Sequence, residues 1–380
     1  MHFRSGVFGS GLLTLSRHPI TEAAFHQYTC AGDPASIHCG DYLAAKGVGW
    51  TRLSTPSGPL DVFNTHLHAN YSHKYDKPQG QGPQGAAEEG VPPPAVDDFA
   101  AFRMAQVLEL ARFVNSVSGR GGSLGAVLGG DLNAAPHTLE AAVLRSLLPQ
   151  LRDSWLEGRE GSSGDPGHTC KAADNSFQPR RQVPERIDYV LTSLKVSGCQ
   201  LALKRTPDGY SFSDHFAVHT RLTLPDAPLP PPPASASSPL TAPASDGNPS
   251  RRAALLSSAH GVVAEGAKRA VQASAGHISF ALIMIMQAAF MCVFEPVMTT
   301  MGHTINPIMR LLIPAAAALL ALGAGLMALV GFVADAGQAR SLQQAQQQLA
   351  VALEGARGAE AAGGGGAGTA GSKGTASKRR

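Results

Sequence analysis

The pattern of apolar and polar positions separates a globular part from an apolar, helix-forming part. Residues 1–224 mix short strand-like runs with turn residues, which predicts a folded domain. Residues 97–117 show the helical period of an amphipathic helix. The preceding residues 74–96 are rich in Gly, Pro and Gln, so we expect a disordered insertion there.

Two apolar segments follow a Pro-, Ala- and Ser-rich linker at residues 225–252. Residues 311–333 carry no charge over about the length that a helix needs to cross a bilayer, which predicts a transmembrane helix. Residues 278–300 predict another, with a buried or re-entrant helix as the alternative. We expect residues 253–276 to form a juxtamembrane helix before the first span.

Basic residues flank the apolar pair on both sides, while the connecting segment holds only Arg310 at its edge. The positive-inside rule therefore predicts a multi-pass integral membrane protein with both ends, and the globular part, in the cytosol. Residues 336–357 predict a cytosolic helix whose leucines either pair with a partner or leave it solvated. Residues 358–380 predict a disordered tail.

Composition narrows the classes of function only slightly. The chain has 380 residues and a formal net charge of +3, which gives no strong indication of a nucleic-acid partner. Its five cysteines show no CxxC spacing, and the N-terminus has no signal-sequence pattern. These features predict a reducing, cytosol-facing catalytic part rather than a disulfide scaffold or a structural zinc site.

Candidate chemistry begins in the stretch VLGGDLNAAP, where Asp131 and Asn133 follow an apolar run. Residues two apart in an extended segment point the same way, so both side chains can face one cavity. The alternative is a turn or helix cap, because both residue types readily bond their own backbone.

Three further polar clusters lie beside strand-like runs, namely NTHLHAN with His66, RIDYVL with Asp188, and SDHFAV with Asp214 and His215. His66 alone is compatible with a structural histidine, and Asp214 with a loop end. Asp188 lies among apolar residues, so its carboxylate needs a partner to offset desolvation.

Together the four clusters supply complementary parts of phosphodiester hydrolysis. This reaction needs a positioned water, a group that accepts its proton, a cation on the phosphate oxygens and hydrogen-bond donors for the developing charge. Carboxylates with water and a phosphate suit Mg2+ better than Zn2+. We therefore expect Mg2+ as the cofactor.

The order of motifs resembles the membrane-anchored neutral sphingomyelinases of the endonuclease/exonuclease/phosphatase superfamily. The resemblance covers residues 1–224 and, more loosely, the apolar pair and tail. It rests on FRSGVFGSGLLTLSRHPI, GDYLAAKGVGWTRL, NTHLHANY, GGDLNAAP, RIDYVL and SDHFAV. It implies an α/β fold of four layers, in which two β-sheets pack face to face between helices.

The resemblance also implies roles for single residues. His215 would be the general base for the attacking water, and Asp188 would orient its imidazole. Asp131 and Asn133 would hold the water in line and donate to the phosphoryl group, with the neighbouring glycines admitting the substrate closely. Asp131 is also an expected metal ligand.

Three more residues complete the implied site. Asp214 would assist the metal, and His66 would hydrogen-bond the phosphate. Lys46 of the AAKGVG stretch would contact the substrate, with an ordinary surface lysine as the alternative.

The implied reaction is Mg2+-dependent, phospholipase C-type hydrolysis of sphingomyelin or a related phosphosphingolipid to ceramide and a phosphorylated head group. The apolar pair would hold the enzyme beside its membrane lipid, and the linker would set its reach. The alternatives are a membrane-tethered pseudoenzyme and a nuclease or inositol-phosphate phosphatase of the same superfamily. The apolar pair and the absence of a broad basic surface disfavour a nuclease.

The first residues, MHFRSGVFGSG, enter at what resembles the middle of the family domain. In the family, earlier strands bring an asparagine and the glutamate that is the principal Mg2+ ligand. Neither Glu22 nor the pair Glu88 and Glu89 replaces it by position. We therefore expect either an incomplete reading of the gene or a truncated protein that hydrolyses little or nothing.

Overall fold

A computed structural model describes residues 1–71, 91–92, 97–159, 164–177, 183–227 and 249–364. Most of the insertion expected at residues 74–96, most of the linker expected at 225–252 and the end of the tail lie outside the described residues.

A six-stranded mixed sheet forms the centre of the globular part, in the strand order β3-β4-β5-β6-β8-β7. Its β5 and β6 run parallel, and its other neighbouring strands are antiparallel. Two smaller antiparallel sheets pair β1 with β2 and β9 with β10. The strands of the described residues are β1 (His2–Phe3), β2 (Leu12–Leu13), β3 (Ile20–Gln27), β4 (Gly47–Thr55), β5 (Gly58–His66), β6 (Ala126–Asp131), β7 (Arg152–Asp153), β8 (Asp188–Thr192), β9 (Lys195–Ala202) and β10 (Ala217–Thr223).

A mixed sheet with flanking helices confirms the expected α/β class. The four-layer arrangement with two large sheets stays a prediction, because the described strands outside the six-stranded sheet form only two-stranded pairs.

The helices fall into a globular set and a long C-terminal set. In the described residues they are α1 (Asp41–Ala44), α2 (Ala100–Ser118), α3 (Leu139–Leu147), α4 (Ser154–Gly158), α5 (Pro249–Thr300), α6 (Pro307–Leu329) and α7 (Ala336–Gly364), with a 3-10 turn at Ile37–Cys39 and a π-helical turn at Val330–Asp335.

Helix α2 corresponds to the amphipathic helix expected at residues 97–117, but it is buried around most of its circumference. Every residue from Ala100 to Leu108 is buried. The reason is that α5 and α7 cover the face that the sequence pattern leaves for solvent. A helix that is buried around most of its circumference belongs to the core rather than to the surface.

The core of the globular part extends into the C-terminal helices. Leu256 and Val263 of α5 are fully buried in the same cluster as the interior of α2. Leu342 and Leu349 of α7 join them there. The solvated alternative for residues 336–357 is therefore wrong. The expected juxtamembrane helix and first span form one continuous helix, α5.

The second half of α5 and all of α6 carry large apolar side chains on their surfaces, such as Met286, 72% exposed, and Leu322, 73% exposed. Two helical stretches, Ser250–Thr300 and Pro307–Ala361, are long and apolar enough to cross a membrane. The exposure is inconsistent with a buried core helix at residues 278–300, because such a helix hides its apolar side chains. These two helices could span a membrane.

Candidate active site

Three strands place three of the predicted site residues in one row. The parallel register of β5 and β6 sets His66 opposite Asp131, and the antiparallel register of β6 and β8 sets Asp131 opposite Asp188. Side chains directly opposite one another on neighbouring strands lie on the same face. His66 Nε2 accordingly lies 3.4 Å from Asp131 Oδ2.

His215 joins this row from the segment that precedes β10. Its Nδ1 lies 2.8 Å from Asp188 Oδ2. The Asp131, Asp188 and His215 side chains each offer an atom within 4.8 Å of the others. The partner that Asp188 requires is thus His215, as the resemblance implies.

The segment around Thr169 and Cys170, which sequence reasoning missed, holds the two members of this pair together. Thr169 Oγ1 accepts hydrogen bonds from the backbone N–H groups of Ile187 and Asp188, both at 3.2 Å. Thr169 O accepts a hydrogen bond from Phe216 N at 2.7 Å. The sequence carries no signal for this role, because the partners are distant along the chain.

Asn133 contributes to the site in a different geometry from the one expected. Strand β6 ends at Asp131, and Asn133 adopts a left-handed conformation with φ of 46°. Its backbone N–H donates to Asp131 Oδ1 at 2.8 Å, and its side-chain Nδ2 donates to Leu67 O at 3.0 Å. Asn133 therefore does not continue an extended segment, and the turn alternative describes the local structure.

The neighbouring glycines also act differently from the expectation. Gly130 has φ of +147°, and an added Cβ would lie 1.9 Å from Thr65 O. The absence of a side chain at this position lets β5 approach β6, and a role in substrate access stays a prediction. At Gly129 an added Cβ would make only an ordinary contact, with Tyr189 O at 3.9 Å.

Lys46 lies inside the site, so the surface-lysine alternative is wrong. It is only 8% exposed, and its Nζ lies 2.6 Å from Asp41 Oδ1. The same Nζ lies 3.0 Å from His66 Nε2 and donates to Leu67 O at 3.0 Å. Asp41, which sequence reasoning also missed, accepts a further hydrogen bond from Tyr71.

Asp214 lies apart from the carboxylate cluster. Its side chain is exposed, and its Oδ1 accepts a hydrogen bond from Ser213 Oγ at 3.0 Å. Among the described residues, the cluster that could hold a metal ion contains Asp131, Asp188 and His215 without Asp214.

The carboxylates and the imidazole perturb one another strongly. Burial is the largest influence on His215 and lowers its pKa, but hydrogen bonds with Asp188 and Cys170 and the charges of Asp188 and Asp131 outweigh it and raise the pKa to about 11. Burial, followed by the charge of Asp188, raises the pKa of Asp131 to about 7.

His66 behaves in the opposite way. Burial, followed by the charge of Lys46, lowers the pKa of His66 to about 3. The ring is therefore neutral near pH 7, and its Nε2 can accept a hydrogen bond from Lys46 Nζ.

The donor set fits a divalent cation. Two carboxylates lie close together at the strand ends, and burial, followed by the charge of Asp188, raises the pKa of Asp131. Carboxylate oxygens are the ligands that hard cations such as Mg2+ prefer. Asp131 and Asp188 are the residues of this cluster that would hold such an ion.

A mixed sheet that gathers carboxylates and an Asp-paired histidine at its strand ends is the type of site that a metal-dependent phosphoesterase uses. Residues 2–215 match the Endonuclease/Exonuclease/phosphatase family, and the chain belongs to this family. The predicted superfamily is confirmed.

Known proteins similar to this chain include lipid phosphodiesterases. The chain is 33% identical over 240 residues to Sphingomyelin phosphodiesterase 2 of Homo sapiens, covering 60% of this chain and 51% of that protein. It is 27% identical over 256 residues to the Inositol phosphosphingolipids phospholipase C of Schizosaccharomyces pombe, covering 60% and 55%. The chain thus spans about half the length of the curated relatives that it matches.

Solved structures show a weaker similarity. A beta toxin of Staphylococcus aureus is 19% identical, with a TM-score of 0.39, and the match covers 55% of this chain and 66% of that one. A similarity at this level supports no conclusion about function.

Proposed function

We propose that this chain is a membrane-anchored phosphodiesterase that hydrolyses sphingomyelin or a related phosphosphingolipid to ceramide and a phosphorylated head group, with Mg2+ as its cofactor. The observation that carries the proposal is the His215–Asp188 pair at 2.8 Å beside the Asp131 carboxylate, in a chain with two exposed apolar helices. The names of its relatives supply the lipid class.

In the proposed reaction, His215 takes the proton of the attacking water. Its Nδ1 is bonded to Asp188, which fixes the tautomer and makes Nε2 the nitrogen that accepts that proton. Asp188 then stabilises the imidazolium. Only the neutral ring can act as a base, and the pKa near 11 describes the ring beside carboxylates without a compensating cation.

The other site residues orient the substrate. Asp131 lies next to His215 and Asp188, where it can position the water or a cation. A bound Mg2+ would neutralise phosphate oxygens and the charge that develops on them. Lys46 and Asn133 both donate to Leu67 O, so they converge on the same side of the site as His66. We assign to these three the recognition of the phosphate.

The membrane part of the proposal is an α5–α6 hairpin with the catalytic part in the cytosol. The basic residues that flank the hairpin support this orientation. Anchoring would keep the enzyme on the surface that contains its substrate, which raises the effective concentration of both.

Turnover by the purified chain tests the proposal. Hydrolysis of sphingomyelin or of an inositol phosphosphingolipid in vesicles with Mg2+ would support the proposal and overturn the expectation of a chain that hydrolyses little or nothing. The ratio of the two rates would then identify the preferred head group. His215→Ala should lower turnover by about a hundredfold or more, the usual scale for loss of a general base.

His219→Ala is the matched control, because His219 is an exposed histidine on β10 only four residues away. It should leave turnover unchanged. A near-normal rate for His215→Ala would remove this residue from the role of base. Absence of turnover in the unaltered chain with both lipids would favour the pseudoenzyme alternative.

A further inference from the structure

Three exposed apolar side chains form a surface that we call the apolar patch. Val7 is 78% exposed, Phe8 is 66% exposed and Ile37 is 68% exposed. Large apolar side chains grouped on a surface commonly mark a contact with another protein or a membrane.

Helix α1 and the 3-10 turn before it support the apolar patch. The backbone N–H groups of Val7 and Phe8 both donate to Leu43 O of α1, at 2.8 and 3.4 Å. A Cβ added at Gly40, which joins the 3-10 turn to α1, would lie 3.8 Å from the Phe8 ring. Ile37 begins that turn. The three side chains are therefore carried by one small structural unit.

The segment that precedes this unit contacts the first turn of α7, just beyond the apolar hairpin. Gln338, in the first turn of α7, accepts hydrogen bonds at its Oε1 from Ala31 N at 2.8 Å and Gly32 N at 3.3 Å. Gly32 in turn lies against α1, since an added Cβ there would be 3.7 Å from Tyr42 N. Gln338 is five residues beyond residue 333, where the second expected span ends. The apolar patch therefore lies close to where the helices would leave the bilayer.

The unit also reaches the active site. Asp41, the first residue of α1, pairs with Lys46, and Lys46 lies 3.0 Å from His66 Nε2. A surface that contacts the bilayer through α1 would thus hold the site close to the lipid head groups.

We propose that the apolar patch lies against the surface of the membrane in which the hairpin is anchored. The inference rests on the proposed membrane anchoring, and its support is the continuity from the hairpin end through Gln338 and Gly32 to α1. A bilayer suits this surface because apolar side chains beside a helix exit can enter the interfacial region without any partner protein.

Quenching of tryptophan fluorescence by brominated phospholipids tests the contact in the full chain, reconstituted in vesicles. The two native tryptophans, Trp50 and Trp155, are buried and provide a constant background. Ile37→Trp places a reporter in the apolar patch. Leu319→Trp places one on the exposed surface of α6, and Val351→Trp places one on the exposed surface of α7.

The added emission of Ile37→Trp should be quenched, whereas that of Val351→Trp should not. Val351 is sixteen residues beyond Asp335 along α7, a distance of roughly 24 Å at the helical rise. Quenching of Leu319→Trp without quenching of Ile37→Trp would overturn the inference and leave the anchoring intact. Absence of quenching for Leu319→Trp would reject the anchoring itself, and the inference with it.

A second measurement separates membrane contact from a general loss of activity. Ile37→Ser should lower the hydrolysis of sphingomyelin in vesicles by about tenfold, the scale expected for one large aliphatic side chain that no longer enters the bilayer. Hydrolysis of the same lipid dispersed in detergent should be unchanged. Equal losses in both assays would contradict a membrane-specific role.

Discussion

Asp131 shows how the chemistry of the site opposes the stability of the fold. Burial and the nearby Asp188 charge raise its pKa to about 7, so its ionised form is disfavoured in the folded chain. A carboxyl group whose pKa is raised in the folded state destabilises the fold once the pH exceeds its pKa in the unfolded chain, near 3.8. This loss of stability is complete above pH 7. In the proposed reaction this charge would hold the cation that neutralises the phosphate oxygens.

Asp131→Asn should therefore make the metal-free protein more stable at pH 8, by about 1–3 kcal/mol, because it removes this buried charge. The gain should shrink as the pH falls from 7 to 4, where the native carboxyl is protonated. Urea unfolding followed by tryptophan fluorescence, with a chelator present, measures both values. Added Mg2+ should stabilise the unaltered protein but not the variant, and a variant that is less stable at pH 8 would contradict this account.

At the scale of single residues, the sequence predicted the members of the site better than their contacts. Asp188 was recognisable because a carboxylate in an apolar run needs a partner, and His215 is that partner. Thr169 was not recognisable, because its partners Ile187 and Asp188 lie 18 and 19 residues away along the chain. Asp41 was missed although its partner Lys46 is only five residues away. Asp214 has the position in the sequence that the motif requires, but in the structure it is not part of the cluster of Asp131, Asp188 and His215.

At the scale of elements, the parallel pairing of β5 with β6 determines where His66 and Asp131 meet. This pairing depends on Gly130, whose φ of +147° and close approach to Thr65 O exclude a side chain. Gly130→Ala should destabilise the fold by at least about 2 kcal/mol, through backbone strain and the clash with β5.

Gly129→Ala is the matched control for that substitution, because an added Cβ there has its nearest neighbour at 3.9 Å. Its effect on the free energy of unfolding should be much smaller. Equal effects of the two substitutions would show that Gly130 does not limit the approach of the strands.

Helix α7 provides a second prediction at this scale. Leu349 is fully buried in the core that α7 shares with α2 and α5, so Leu349→Ala should destabilise the globular part by about 2–5 kcal/mol. Val351→Ala, two residues away on the exposed side, should change the stability by less than about 0.5 kcal/mol. Chemical denaturation of both variants in detergent measures the difference, and a neutral Leu349→Ala would reject this packing.

The sequence predicted a helix at residues 336–357 from its leucine spacing, but not its partner. Period and propensity describe one segment at a time, whereas α7 packs on α5 and also on α2, which lies more than 200 residues earlier in the chain. For the same reason, the expected solvent face of α2 is covered in the structure.

At the scale of the whole molecule, the proposed topology predicts which parts a protease can reach. A tag at the C-terminus should be cleaved when protease is added to the cytosolic side of sealed membranes, because the basic flanks hold both ends there. A tag inserted between α5 and α6, at residues 301–306, should be protected until the membrane is opened with detergent. Protection of the C-terminal tag would reject this topology.

The linker expected at residues 225–252 lies mostly outside the described residues, so its role in setting the reach of the domain stays a prediction. Helix α5, which begins near the end of that segment, joins the core by residue 255, so the proposed anchor and the globular part are packed together. Composition can show that a segment resembles a flexible connector, but not that the helix after it packs into the preceding domain.

The core that the globular part shares with α5 and α7 restricts how the globular part can rotate relative to the membrane. A domain on a flexible tether can rotate in all directions, whereas a domain packed onto its own anchor keeps one inclination to the bilayer normal. If the hairpin spans the membrane as proposed, α5 and α7 hold the candidate active site in a fixed orientation to the bilayer while the whole molecule diffuses laterally. An enzyme held in this way would work on one leaflet only, and lipids of the opposite leaflet would become substrates only after they had crossed the bilayer.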